Sequence, residues 1–498
     1  MSSWLKNAVF YEIYPTSYKD SNSDGIGDLK GITSKLEYVS DMGFNAIWLN
    51  PFYKSPFKDG GYDVSDFFAV DPIFGTMEDF KELLNKAHEL VIRIIVDLVA
   101  GHVSEQNEMF QMSARSERNE YSDMFIWNNS VWDLEQPYRL ISGRYDRNGC
   151  YMVNFFSTQP ALNYGFNEIT HPKWQMSYKD ERTFKARNFL KEVMKFWLSM
   201  GVDGFRVDMA DSLVKNDHQK LATMEIWEEI IKDVKLEYPE MVLVSEWCNP
   251  DQALKCGFDC DFVLDHWDNF CHYLGRATES TIGPSVLNGA RQDAFKSDLY
   301  NRIEAAKRNN GLLGIITGNH DCPRIATHLD DNKLRLFYMI HFTLPGVPFV
   351  YYGDEIGMKH IDLPSKHGGY QRTGERTPMK WDNSKNKGFS SYDGELYLPL
   401  DGDDNNVLDQ INDPNSLLNY IKKLIKIRKE NTQFTSSEFY MYHIDDYVIS
   451  YQRENIKIVI NLSQNGVKLD NLNQIIMVSN NKDLEDNVLL PNTGIIYY

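Results

Sequence analysis

Short, continuously apolar runs alternate along most of this chain with segments whose apolar positions recur every three to four residues. Ala8 to Tyr14 and Ala46 to Leu49 are the first two runs. Ile92 to Leu98 is the third, and its unbroken apolar character predicts a strand buried on both faces. Gly204 to Val207, Met241 to Val244, Asp261 to Leu264, Leu312 to Ile316 and Val347 to Tyr351 continue the series. Between the second and third runs, Phe80, Leu83, Leu84, Ala87 and Leu90 share one helical face; before the fourth, Phe189, Val193, Phe196, Trp197 and Met200 do the same. Eight strands alternating with helices predict an α/β fold, a (β/α)8 TIM barrel.

The alternation breaks after the third run. Residues 103–172 are rich in aromatic and polar residues and too long for an ordinary loop, so they read as an inserted subdomain. The barrel then comprises 1–102 and 173–430 and closes with a helix from Leu417 to Lys429. In 431–498 the pattern changes to strand-like runs such as Val448-Ile-Ser-Tyr-Gln and Ile456-Lys-Ile-Val-Ile between Asn-rich turns. These predict a C-terminal antiparallel β-sandwich domain.

Composition narrows the function. The formal charge of −19 argues against nucleic acid or an anionic membrane as partner. Aromatic residues make up 13%, which fits a large core and equally fits rings lining a sugar site. The N-terminus carries no charged segment followed by a long apolar run, and no stretch reads as a membrane span. Six scattered cysteines look like free thiols rather than a disulfide framework. A cytoplasmic monomer without an organic cofactor is the expectation.

Polar groups cluster at the predicted strand ends, where barrels of this kind place their chemistry. Asp97 and His102 close the third strand. Gly204-Phe-Arg-Val-Asp208 ends the fourth and sets Arg206 and Asp208 on one face. Leu243-Val-Ser-Glu246 ends the fifth, and Thr317-Gly-Asn-His-Asp321 the seventh. A single such acid is as readily an ion-pair partner or a helix cap. Several at successive strand ends are costly to bury unless a site uses them. A carboxylate pair is the minimum equipment for glycoside hydrolysis, one nucleophile and one proton donor. Arg206 is expected to lower the pKa of Asp208, and the apolar flanks of Glu246 to raise its own.

These motifs resemble the α-amylase family of glycoside hydrolases, in its oligo-1,6-glucosidase and α-glucosidase branch, over nearly the whole chain. Asp97-Leu-Val-Ala-Gly-His102, Gly204-Phe-Arg-Val-Asp208, Val244-Ser-Glu246 and Asn319-His-Asp321 are similar to the four family motifs, and Gln159-Pro-Ala-Leu-Asn163 to the one closing the inserted subdomain. The resemblance implies Asp208 as nucleophile, Glu246 as general acid/base and Asp321 as transition-state stabiliser. It implies sugar binding by Tyr62, Asp63, His102, Arg206, His320 and Arg372, with Asp63 favouring exo attack and Arg376 structural. The substrate class implied is a small oligosaccharide with α-1,6 or α-1,4 bonds. A transferase or isomerase working on sucrose or trehalose with the same residues is the alternative. The sequence departs from the family pattern at Gly101, Met209 and Ala161.

Asp20-Ser-Asn22-Ser-Asp24-Gly-Ile26-Gly-Asp28 carries oxygen ligands at alternate positions, with the Ile26 carbonyl as a further one. It is either a metal-free Asp/Gly turn or, as the resemblance implies, a structural Ca²⁺ or Mg²⁺ site.

Overall fold

The computed structural model describes residues 4–134, 137–366, 372–470, 472–480 and 484–498. Eight parallel strands close into a barrel: β1 Phe10–Ile13, β2 Ala46–Leu49, β3 Arg93–Val99, β4 Gly204–Asp208, β5 Val242–Ser245, β6 Cys260–Val263, β7 Leu312–Ile316 and β8 Val347–Tyr351. Each pairs with its sequence neighbours, and β1 closes the ring on β8 through Phe10 opposite Phe349. The strands are buried almost end to end, which is why they read as continuous apolar runs. Gly204 is required where β4 meets β5, because a Cβ there would lie 2.1 Å from the Val242 carbonyl oxygen.

The barrel lumen is a packed aromatic plug. The Phe10 and Phe349 rings stack at 4.3 Å, and Phe262 meets Phe349 at 4.8 Å and Trp48 at 5.2 Å. Alternate residues on a strand share a face. The inward positions after the plug residues Phe10, Ile95 and Val244 are therefore Glu12, Asp97 and Glu246, and those after Gly204 are Arg206 and Asp208. The polar site sits directly on the apolar plug. Trp48 joins the two layers, its Nε1–H donating to Asp97 Oδ2 at 2.8 Å.

The predicted helical faces are the buried ones. Met77–Glu89 (α1) opens with a Thr76/Asp79 capping box and buries Phe80, Leu83, Leu84 and Ala87. Phe184–Ser199 (α2) buries Val193 and Trp197, with Phe189 and Phe196 half-buried beside them. The segment after β3 has little regular structure, a short helix Glu108–Ser113 and a hairpin of Leu140–Ile141 with Tyr151–Met152. It is organised by Phe110, Phe125, Trp127 and Tyr151, whose rings contact one another. Backbone bonds from Val103 to Pro160 and from Leu162 to Gly101 fasten it over the end of β3.

Leu417–Glu430 (α3) leads into the C-terminal sheets. Five antiparallel strands run in the order Tyr440–Met441, Val448–Arg453, Ile456–Asn461, Thr493–Tyr497, Ile475–Val478. A three-stranded sheet faces them across an apolar layer that includes Val448, Val459, Leu489 and Ile495. Buried Arg453 ties this unit to the barrel through the Thr343 carbonyl, and buried Arg428 fastens α3 through the Phe342 carbonyl. All six cysteines are free thiols. Among the described residues, no helix is long and apolar enough to cross a membrane.

Candidate active site

Arg206 is the centre of the first cluster. It is 1% exposed and lies over the Trp48 ring at 5.1 Å. Its Nη1 reaches Asp97 Oδ1 at 2.5 Å and Asp208 Oδ1 at 3.1 Å, and its Nη2 reaches Glu246 Oε1 at 2.8 Å. Three carboxylates from β3, β4 and the end of β5 thus converge on one guanidinium. Glu246 Oε2 also accepts the Met209 N–H at 2.8 Å. Met209 has φ 42° and Cys248 φ 61°, so the chain turns sharply just past each of the carboxylates Asp208 and Glu246.

The electrostatics reverse one expectation. Burial, then the negative charge of Glu246, holds the Asp208 carboxyl well above its ordinary pKa, and Arg206 only partly opposes them. One guanidinium cannot neutralise three carboxylates, which is why the Asp208 carboxyl is held up although Arg206 lies beside it. Glu246 is the better supplied with donors, from Arg206 Nη2 and the Met209 N–H.

A second cluster faces the first across the Tyr62 ring. His320 stacks on Tyr62 at 5.1 Å, its Nδ1 meets Glu12 Oε1 at 2.9 Å and its Nε2 meets Asp321 Oδ2 at 3.2 Å. Burial alone would lower the His320 pKa, but Asp321 and Glu12 raise it to about 9, so both ring nitrogens carry protons at neutral pH. Burial would raise Asp321, yet His320, Arg372 and Arg376 keep it well below the usual carboxylate range. Arg372 Nη1 reaches Asp321 Oδ1 at 2.8 Å, and Arg376 Nη2 reaches the same oxygen at 2.7 Å. Arg376 is fully buried and also donates to the His320 carbonyl.

Of the sequence-predicted sugar-binding residues, Tyr62, Arg206, His320 and Arg372 come together here. His102 lies at the edge of the first cluster. Its pKa is lowered to about 4 by burial, so the ring is neutral. Its Nε2 faces the Tyr62 carbonyl at 3.1 Å and carries the hydrogen, which leaves Nδ1 to accept from Asn154 Nδ2 at 3.4 Å. Asp63 faces away from both clusters into its own turn. Its carboxylate is fully buried and caps a tight turn, accepting from the Lys58 and Asp59 N–H groups and the Ser55 hydroxyl, each at 3.0 Å. Asp59 stands where Asp63 was expected. It pairs with Arg372, accepts from Gln159 Nε2 at 2.6 Å and is pushed up to about 6, chiefly by burial. The only sequence signal for it was an acid preceding Gly60-Gly61. Gly60 has φ 57°, and a Cβ there would lie 2.3 Å from Arg376 Nη1.

The Asp20–Asp28 loop is braced by its own donors. Asp20 accepts from the Asn22, Ser23 and Gly25 N–H groups, Asn22 from Asp24 N–H, Asp24 from Ile26 N–H, and Asp28 from Ser21 and Gly31. Among the described residues, no three His, Cys, Asp or Glu side chains converge as a ready-made metal cage.

A closed parallel barrel whose mouth gathers opposed carboxylates about buried guanidinium groups, beside a stack of rings, is the equipment of an enzyme that acts on glycosidic bonds. The chain belongs to the α-amylase family: residues 12–437 match the alpha-amylase catalytic domain, which makes it a member of glycoside hydrolase family 13. It is 32% identical to trehalose synthase/amylase TreS of Mycolicibacterium smegmatis, over 88% of this chain and 78% of that protein. It is 29% identical to oligo-1,6-glucosidase of Heyndrickxia coagulans, over the whole of both chains. Among solved structures, isomaltulose synthase of Erwinia rhapontici with sucrose superposes with a TM-score of 0.83 at 25% identity, covering 100% of this chain and 99% of that one.

Proposed function

We propose that the protein is an exo-acting α-glucosidase that cleaves α-1,6 or α-1,4 bonds of short oligosaccharides with retention. The observation that carries this reading is the Asp208–Glu246 pair, held on one guanidinium, with the Asp208 carboxyl raised beside the Glu246 charge. Asp208 as carboxylate attacks the anomeric carbon while Glu246 gives its proton to the departing oxygen. The C–O bond to the leaving sugar breaks and a glucosyl ester of Asp208 forms. Glu246, now a carboxylate, takes a proton from water, whose oxygen displaces Asp208 from the anomeric carbon. A leaving oxygen hydrogen-bonded to Glu246 favours the proton placement the reaction needs, Glu246 protonated and Asp208 ionised. Asp321, held ionised, opposes the positive charge that develops on the sugar ring. Tyr62, His320, Arg372 and Asp59 supply the stack and the hydrogen bonds for the terminal glucose, with His102 at the edge.

The likeness to TreS and to isomaltulose synthase supports a second reading, transfer of the glucosyl group to a sugar rather than to water. The protein is to be incubated separately with isomaltose, maltose, sucrose and trehalose, following anomeric proton signals over time. α-Glucose as first product from isomaltose or maltose, lost in Asp208→Asn, is the expected result. β-Glucose as first product would overturn retention, and new disaccharides without matching glucose would establish transfer instead.

A structural Ca²⁺ or Mg²⁺ on Asp20, Asn22, Asp24, Asp28 and the Ile26 carbonyl is part of this proposal. The all-oxygen donor set supports it. As arranged here, the side chains of Asp20, Asn22 and Asp24 accept N–H groups of the same loop; the ion would brace the loop, and no catalytic step is routed through it. The six free thiols support a reducing, cytoplasmic setting.

A further inference from the structure

Gly101 and Asn154 approach each other across the junction of the barrel and the inserted segment. A Cβ on Gly101 would lie 2.5 Å from Asn154 Nδ2 and 3.0 Å from Ser212 Oγ. The barrel leaves this space empty, and the inserted segment fills it with a carboxamide. Asn154 Nδ2 lies 3.1 Å from Ser212 Oγ, 3.4 Å from His102 Nδ1 and 3.9 Å from Met209 Sδ. Its Oδ1 accepts from Lys215 Nζ at 2.7 Å, and the same amine donates to the Ser212 carbonyl. One side chain therefore joins the end of β3 to both ends of the loop that follows Asp208. In that loop Met209 occupies a left-handed conformation with its N–H on Glu246.

We propose that Asn154 is a positioning residue for proton donation: by occupying the space over Gly101 it fixes the loop after β4, and through the Met209 N–H it sets the place of Glu246. This rests on the function proposed above for Glu246. Contacts that place a general acid matter most when the leaving group needs a proton and least when it departs as a stable anion.

The test compares a disaccharide with p-nitrophenyl α-glucoside, whose leaving group needs less protonation. In Asn154→Ala, kcat/KM for the disaccharide is expected to fall on the order of tenfold or more and that for the aryl glucoside about two- to threefold, since general acid catalysis contributes roughly 10²–10⁴. Asn154→Asp preserves shape but cannot donate to His102 or Met209, and is expected to show the same split. Gly101→Ala, which drives a methyl into the carboxamide, should be as harmful as Asn154→Ala, while the double variant should be no worse than Asn154→Ala alone. Equal losses on both substrates, or losses in the double variant that simply multiply, would overturn the proposal. If the wild type cleaves neither glucoside, the proposed function fails and the acid-placing role of Asn154 with it. Wild type, Asn154→Ala, Gly101→Ala and the double variant compared by thermal denaturation would then show separately whether Gly101 and Asn154 are coupled.

Discussion

Asp208→Asn should abolish turnover and at the same time make the protein more stable at neutral and alkaline pH. Asp97, Asp208 and Glu246 share a single guanidinium, and burial with the Glu246 charge holds Asp208 well above its ordinary value of 3.8. Two like charges about 5.5 Å apart, the spacing a retaining pair requires, repel by roughly 3 kcal/mol at an effective dielectric near 20. Asparagine removes that repulsion, can donate to Glu246 and still accepts from Arg206, but forfeits the attraction between Arg206 and a full charge. The net gain expected is about 1–2 kcal/mol, the range common for relief of a strained functional group. At about 2–4 °C per kcal/mol for mid-sized domains, and less for longer chains, this amounts to a rise in Tm of a few degrees. The pH dependence makes the test sharp. A carboxyl whose folded pKa is raised leaves stability intact below its unfolded value and removes it as pH rises through the folded one. The variant and wild type should therefore unfold at the same temperature near pH 3.8 and separate progressively toward pH 8. Differential scanning of both proteins at intervals across that range is the assay. A variant less stable than wild type at pH 8, or a gain that does not shrink toward acid pH, would refute the charge argument.

Three further outcomes follow. Asp59→Asn, at the partner of Arg372, should cut kcat/KM at least tenfold with little change in Tm. Asp63→Asn should instead lower stability by about 1–3 kcal/mol, because buried N–H groups lose a charged acceptor, and should spare turnover at temperatures where it remains folded; the reverse pattern would restore Asp63 to the sugar site. Removing divalent cations with EDTA should lower Tm and re-adding Ca²⁺ should restore it, without a change in the pH profile of turnover, whereas an unchanged Tm would leave the Asp20–Asp28 loop a metal-free turn.

The division between what was legible in the sequence and what was not follows the range of the interactions. Barrel strands buried on both faces must be apolar throughout, so Ile92 to Leu98 and Val347 to Tyr351 announce themselves without knowledge of their neighbours. The alternation of strand faces then carries Arg206, Asp208 and Glu246 to one rim, because the site begins where the inward apolar positions end. Position along a strand does not reveal how many charges meet at one point. Arg206 beside Asp208 implied a depressed carboxyl; the arrival of Asp97 from β3 and Glu246 from β5 on the same guanidinium inverts that reading. The Asp59/Asp63 exchange has the same origin. The two acids are four residues apart in one turn, and only the left-handed backbone at Gly60 and Gly61 decides which faces Arg372 and which caps the turn. Asn154 is the extreme case: it lies in a segment with no periodic pattern, and its place is set by a side chain that Gly101 does not have. Where a barrel builds its rim from several strands and an inserted segment, the identity of the reacting groups is written locally, while their protonation and alignment are properties of the assembled rim.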